Sequence, residues 1–164
     1  MMRSDASLKG KIKALAKKSN LKPQELLQMY LFEHLLMRLG KSGYAEAFVL
    51  KAAPHLLDDG RRPEDHHGHG HDGDRHGYGR RHGERGRRRI CAVDVADGME
   101  YSFERIEPIR EGDEYANWRE HLRVRYGKID APVKIDITTG DEIVPGRIEY
   151  RYPLMFEKGS VRVL

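Results

Sequence analysis

An α+β fold is predicted for this 164-residue chain, and three observations predict it. Apolar residues recur at helical spacing before residue 40. After residue 100 they alternate with polar ones, as half-buried strands require. The helical part also comes wholly before the extended part, the order of an α+β domain whose sheet is mixed or antiparallel. The length suits one domain, or one domain with an insert, and is sufficient to bury a core.

Leu8, Ile12 and Leu15 fall on one face of a short first helix, and Lys9, Lys11, Lys13, Lys17 and Lys18 fall on the rest. Asn20 and Pro23 mark a second start, because a first-turn proline lacks only an N–H that has no helical partner. From Leu26 to Leu39 the apolar residues cover more than one face, so this helix is expected to be largely buried. Gly40 is its natural stop. His34 lies inside it and is expected to be a satisfied structural histidine. Ala47 to Leu50 reads as a short strand.

Beyond residue 90, Ile90 to Val95 is a buried-strand candidate and Asp97-Gly98 a turn. Tyr101, Phe103 and Ile106 alternate with polar neighbours. So do Leu122, Val124 and Tyr126, and then Val133, Ile135 and Ile137, before Thr139-Gly140-Asp141 ends the run. The formal charge of +4 is mildly basic and permits a nucleic-acid or nucleotide partner without demanding one. A lone cysteine, Cys91, excludes an internal disulfide and suits a reducing compartment. There is no apolar leader pattern after Met1 and no long apolar run, so a cytoplasmic protein with no membrane partner is expected.

The chain thus divides into residues 1–51, helices and a first core strand; residues 52–89; and residues 90–164, strand-rich. The middle segment follows neither pattern. It holds nine Arg, eight Gly and seven of the nine His, and it has no Ser, Thr, Lys, Ile, Val, Met or Phe. With Leu56 and Leu57 as its only large aliphatic residues, it cannot offset its ordering entropy by burial and is expected to be disordered. Losing the packed elements that should stand there is also expected to leave the apolar sides of Leu26 to Leu39 and Val133 to Ile137 facing an incomplete core.

Three readings of this segment are open. His66, His67, His69, His71 and His76, interleaved with Asp72 and Asp74, could bind a transition metal, although the spacing matches no structural zinc pattern. Arg80, Arg81, Arg85 and Arg87 to Arg89 could meet the phosphates of a nucleic acid, with Tyr78 as the one aromatic available for stacking. Both describe a non-catalytic protein with a His/Arg/Gly-rich binding loop. The third reading is that the segment is translated out of frame. His is CAY, Gly is GGN and Asp is GAY. Moving the frame one base forward from Asp65 to Gly73 gives codons that allow Thr-Thr-Met-Asp-Met-Asp-Thr-Thr. The same shift from Ala53 to Arg62 allows Leu-Leu-Ile-Ser-Ser-Thr-Met-Val-Gly. Those are the residue types that the visible segment lacks.

With that text restored, the chain resembles the AbiEii/AbiGii family of nucleotidyltransferases, the toxin component of abortive-infection toxin–antitoxin pairs. The resemblance is carried by the run Asn20 to Glu33, by Phe48-Val49-Leu50-Lys51, by Ile90 to Asp94 and by Val133 to Asp141. It spans residues 1–51 and 90–164. In the family, Leu-Lys is followed by Gly-Gly, and an Asp-x-Asp pair comes soon after, where the shifted frame supplies one.

The resemblance implies a nucleotidyltransferase-like sheet, here incomplete, and transfer of a nucleotide from NTP to an acceptor such as tRNA. It also implies Mg²⁺ as the cofactor and a cognate antitoxin protein as a partner. Such chemistry needs carboxylates to hold the cation against the triphosphate, and two Asp at i, i+2 on a strand reach one side together. Asp136 matches the family's third acid, both catalytic and metal-binding, and Lys51 matches the nucleotide-binding residue before the glycine turn. Ala52 and Ala53 stand where Gly-Gly should be, and the family's acidic pair has no counterpart, because Asp72 and Asp74, although spaced i, i+2, lie in the shifted text and do not take its role. The family also has a helical part beyond the Ser160 to Leu164 region, so a truncated and inactive copy is expected.

Overall fold

The computed structural model describes residues 4–50, 80–109, 116–139 and 148–164. Among these residues, three α-helices, a three-stranded antiparallel sheet and a two-stranded antiparallel hairpin make an α+β fold. Helix α1 runs from Asp5 to Ala16. Ser4 caps it by accepting the Ser7 N–H at 3.3 Å, and Leu8 and Ile12 are its buried face. Helix α2 runs from Pro23 to Lys41, with proline in its first turn. The Glu25 carboxylate accepts the Lys22 N–H at 2.7 Å and satisfies a donor that the helix leaves open.

Helix α2 is buried on two sides. Leu26, Tyr30, Leu31 and Leu35 join the main core with Leu8 and Ile12, whereas Leu36 packs against Tyr152 and Val163. This is why its apolar residues exceed a single stripe. Gly40 does not end the helix; the chain continues to Lys41, and Gly43 takes the left-handed conformation at φ +79°.

The sheet is β1 (Glu100–Pro108), β2 (Ala116–Tyr126) and β3 (Ile129–Thr139), in that spatial order. The register pairs Tyr101 with Val124 and Phe103 with Leu122, then Leu122 with Val133 and Val124 with Ala131. Alternation therefore sends these residues to one face, where they form the core with the helices. Arg119, His121, Arg123, Lys134 and Asp136 take the other face. The hairpin β4 (Tyr150–Pro153) and β5 (Ser160–Val163) closes the far side of α2.

Further expectations are corrected here. Helix α3 occupies Arg80–Ala92, so Ile90 to Ala92 end a helix and do not begin a strand. Residues 80–89 are accordingly helical, although their composition argued for disorder. Gly83, Gly86, Ile90 and Cys91 form the buried side, and Gly86 lets the helix lie against the Tyr44 ring. Glycines that weaken a helix also permit close packing, and here the packing prevails. Phe48 is extended, at φ −123° and ψ 138°, but residues 48–50 belong to no strand and Ala47 ends a short 3-10 turn. Leu50 donates its N–H to the Leu164 carbonyl at 2.5 Å, beyond the end of β5.

The faces expected to meet an incomplete core are covered in part, with Ile135 and Ile137 half-buried. Leu26, Leu31, Leu35 and Val133 are buried together, and among the described residues only Leu21 and Ile148 are large exposed hydrophobics. Helix α3 lies against β1 and α2 and supplies cover that the composition did not suggest. The expected disorder of residues 52–79 lies outside the described residues.

Candidate functional site

Strand β3 places Asp136 on the outer face of the sheet, directly opposite Arg119 of β2. Arg119 Nε donates to Oδ1 at 2.7 Å and Nη2 to Oδ2 at 2.8 Å, a bidentate pair with both side chains substantially exposed. The Arg119 hydrogen bonds hold the Asp136 carboxyl below the usual carboxylate range. The same pattern continues along this face. Arg123 Nε donates to Asp130, and His121 Nε2 lies 2.7 Å from Glu107 and 3.4 Å from Arg105. The Arg119–Asp136 and Arg123–Asp130 pairs join opposite charges across neighbouring strands, which is an arrangement that stabilises an antiparallel sheet.

Lys51 lies outside the described residues, as do His66, His67, His69, His71, Asp72, Asp74 and His76. A magnesium ion wants a near-octahedral set of oxygens. Asp136 offers one carboxylate, and Arg119 already holds both of its oxygens. Among the described residues no group of three or more His, Cys, Asp or Glu is placed to hold a metal. The described residues taken alone therefore do not fit the ion. Of the arginines proposed for phosphate contact, the side chains of Arg80 and Arg81 lie outside the described structure, and the others divide in two. Arg87 is turned inward and forms an ion pair with the buried Glu120 of β2, whereas Arg85, Arg88 and Arg89 are exposed.

A second polar cluster, buried between α2 and the start of β1, was not expected. Arg38 Nη1 donates to Asp97 Oδ2 at 2.7 Å and Nη2 to Asp97 Oδ1 at 2.8 Å. The same guanidinium donates to the Met99 and His34 carbonyls and lies over the Tyr101 ring. His34 Nδ1 stands 2.8 Å from Asp97 Oδ2, so this histidine is structural, as its position inside the helix suggested. The Tyr101 hydroxyl donates to the Leu31 carbonyl at 2.6 Å and closes the group. A signal for the cluster existed in the sequence: His34 and Arg38 are one helical turn apart, and Asp97-Gly98 is a turn with a carboxylate. What the sequence does not give is that the turn packs against that helix.

Chemically, both terminal nitrogens of Arg38 and both oxygens of Asp97 have partners, Arg38 Nε has none among the described residues, and the arrangement is a clasp. Cys91 lies in the main core, and burial pushes its thiol up to about 11, which leaves no appreciable thiolate at neutral pH. No helix among the described residues is long and apolar enough to cross a membrane. No family model, curated protein or solved structure matches the chain.

Proposed function

We propose that this chain is a catalytically silent copy of a nucleotidyltransferase core of the abortive-infection toxin kind. Its intact kin would move a nucleotide from NTP to an acceptor such as tRNA with Mg²⁺, under the control of an antitoxin protein. The reading rests on the sequence runs around Leu26, Leu50 and Asp136, and an α+β architecture is compatible with it. The observation that carries the silence is the loss of the acidic pair and the Gly-Gly turn from the text. The one acid that matches the family's metal site, Asp136, is left without those companions and faces Arg119 in an exposed ion pair.

Two measurements test this. The coding DNA for residues 50–92, read one base forward, should encode Gly-Gly and Asp-x-Asp without a stop codon; a stop codon in that frame defeats the reading. Transfer of labelled nucleotide to tRNA should be at background for the chain as it stands and should rise when the frame is restored. Asp136→Asn in the restored protein should then abolish it. Transfer by the unrestored chain would show that the visible acids suffice.

A further inference from the structure

Helix α1 and the turn after it carry Lys9, Lys11, Lys13, Lys17, Lys18 and Lys22, with no acid between Asp5 and Glu25. These six lysines exceed the formal +4 of the whole chain, so the remainder does not share the excess. The acids at either end are already engaged. Asp5 accepts the Lys128 N–H at 3.0 Å, and Glu25 accepts the Lys22 N–H.

Leu8 and Ile12 fix the buried side of α1, and the 3.6-residue period then sets the positions of the rest. Lys17 falls nearest the outward direction with Lys13 beside it, Lys9 lies on one flank, and Lys18 and the half-buried Lys11, whose Nζ is 5.9 Å from the centre of the Phe156 ring, lie on the other. Ala6, Ser7, Gly10 and Ala14 fill the outer surface between them, all exposed. A solvated helix face ordinarily mixes signs, with acids one turn from bases. Here Lys9, Lys13 and Lys17 follow one another at i, i+4, where like charges repel. Gly10 is a related anomaly. Among the described residues a Cβ there would meet nothing within 4 Å, so none of their packing calls for glycine, which weakens a helix interior relative to alanine. Both departures from good helix design are relieved by one occupant, a rod of negative charge lying along α1 with its surface close to the backbone.

We infer that the outer face of α1 binds the phosphate backbone of a double-stranded nucleic acid without reading its sequence. Lysine supplies point charges without the bidentate fork that reads base edges, and no aromatic side chain stands on this face for base stacking. The same lack of large apolar residues disfavours insertion into a lipid surface. The inference does not depend on the nucleotidyltransferase reading, because a silent or an unrelated chain could carry the same face.

The test is fluorescence anisotropy of the full chain with labelled RNA and DNA duplexes of two unrelated sequences across a range of salt. Both sequences should bind alike, and the logarithm of the binding constant should fall linearly with the logarithm of salt. On duplex DNA the slope should shrink by about 0.9 for each lysine removed, so by roughly 2.7 for Lys9→Gln/Lys13→Gln/Lys17→Gln. An unchanged slope in that variant would place the contact elsewhere and overturn the inference. So would a strong preference for one sequence, or binding to phosphatidylserine vesicles with none to the duplexes. Gly10→Gln separates approach from charge. It strengthens the helix, so loss of fold cannot explain its effect, and it should weaken binding severalfold at unchanged slope. Binding at full strength by that variant would overturn the close approach.

Discussion

Arg38 grips Asp97 with both of its terminal nitrogens, at 2.7 and 2.8 Å, and so ties the last turns of α2 to the turn that precedes β1. Both side chains are almost fully buried. Removing one partner strands a charge in the core, which typically costs ~3–5 kcal/mol. Arg38→Met is therefore expected to lower the urea midpoint steeply. Asp97→Asn keeps an acceptor but strands the Arg38 guanidinium, which cannot shed its proton, so it should cost at least as much. If neither variant shifts the midpoint, the clasp is not formed in solution.

The same pair sets an acid limb. Burial alone would raise the Asp97 carboxyl, but hydrogen bonds from Arg38, His34 and the Met99 N–H outweigh it and hold the group well below its ordinary range. A carboxyl depressed in the folded state contributes stability that is fully present above its unfolded value, ~3.9, and is lost as pH falls toward the folded value. Stability should thus be flat with respect to this group from neutral pH to about 5 and decline below about 4. Asp97→Asn should flatten that decline in unfolding titrations run at successive pH values.

Glu33 runs the other way. It is buried on α2, and burial raises its carboxyl, partly offset by the Met155 N–H that donates to it at 2.7 Å. A carboxyl raised in the folded state costs stability once pH exceeds its unfolded value, ~4.3, and the cost is complete above the folded value. Glu33→Gln keeps an acceptor for Met155 and removes the buried charge. It should raise the melting temperature at pH 7 and have little effect at pH 4. A lower melting temperature at pH 7 would mean that the charge itself is stabilising.

The helical and strand patterns were legible where one face of an element meets the core. Leu8 and Ile12, or Tyr101 and Phe103, announce their elements because burial imposes the period. Helix α3 was not legible, because a run such as Arg85 to Arg89 carries no apolar stripe. Its inward side is made by Gly83, Gly86 and the ion pair from Arg87 to Glu120, and these are contacts that only the tertiary arrangement supplies. Asp136 was identifiable as a candidate acid. Its occupation by Arg119 was not, since cross-strand partners depend on register, which the turn between β2 and β3 sets.

Cys91 gives a direct probe of α3. Its thiol is buried in the core, and burial pushes it up to about 11, so attack by an alkylating reagent at pH 8 should be slow. In denaturant the rate should rise to that of a free cysteine, whose pKa is ~8.5. Comparable rates in the native and unfolded chains would mean that α3 does not pack against the sheet.

Gly127 opens the two-residue loop between the paired Tyr126 and Ile129, at φ +56°. That backbone region strains an L side chain, and the space is also taken. A Cβ on Gly127 would stand 2.7 Å from Asp5 Cγ and 2.9 Å from its Cβ and Oδ1. Asp5 cannot simply swing aside, because its Oδ2 accepts the Lys128 N–H at 3.0 Å and so binds the start of α1 to this hairpin. Gly127→Ala must therefore either distort the turn or break that bond, and a cost of about 1–3 kcal/mol is expected. Gly40→Ala is the control of opposite sign. Its site is helical, and the nearest atom to an added Cβ, Val161 Cγ1, lies at an ordinary 3.8 Å. It should gain ~0.5–1 kcal/mol. Urea unfolding of the two variants side by side decides the matter. If Gly127→Ala is as stable as the parent, the hairpin turn is not seated against Asp5, and α1 is not docked to the sheet at that end.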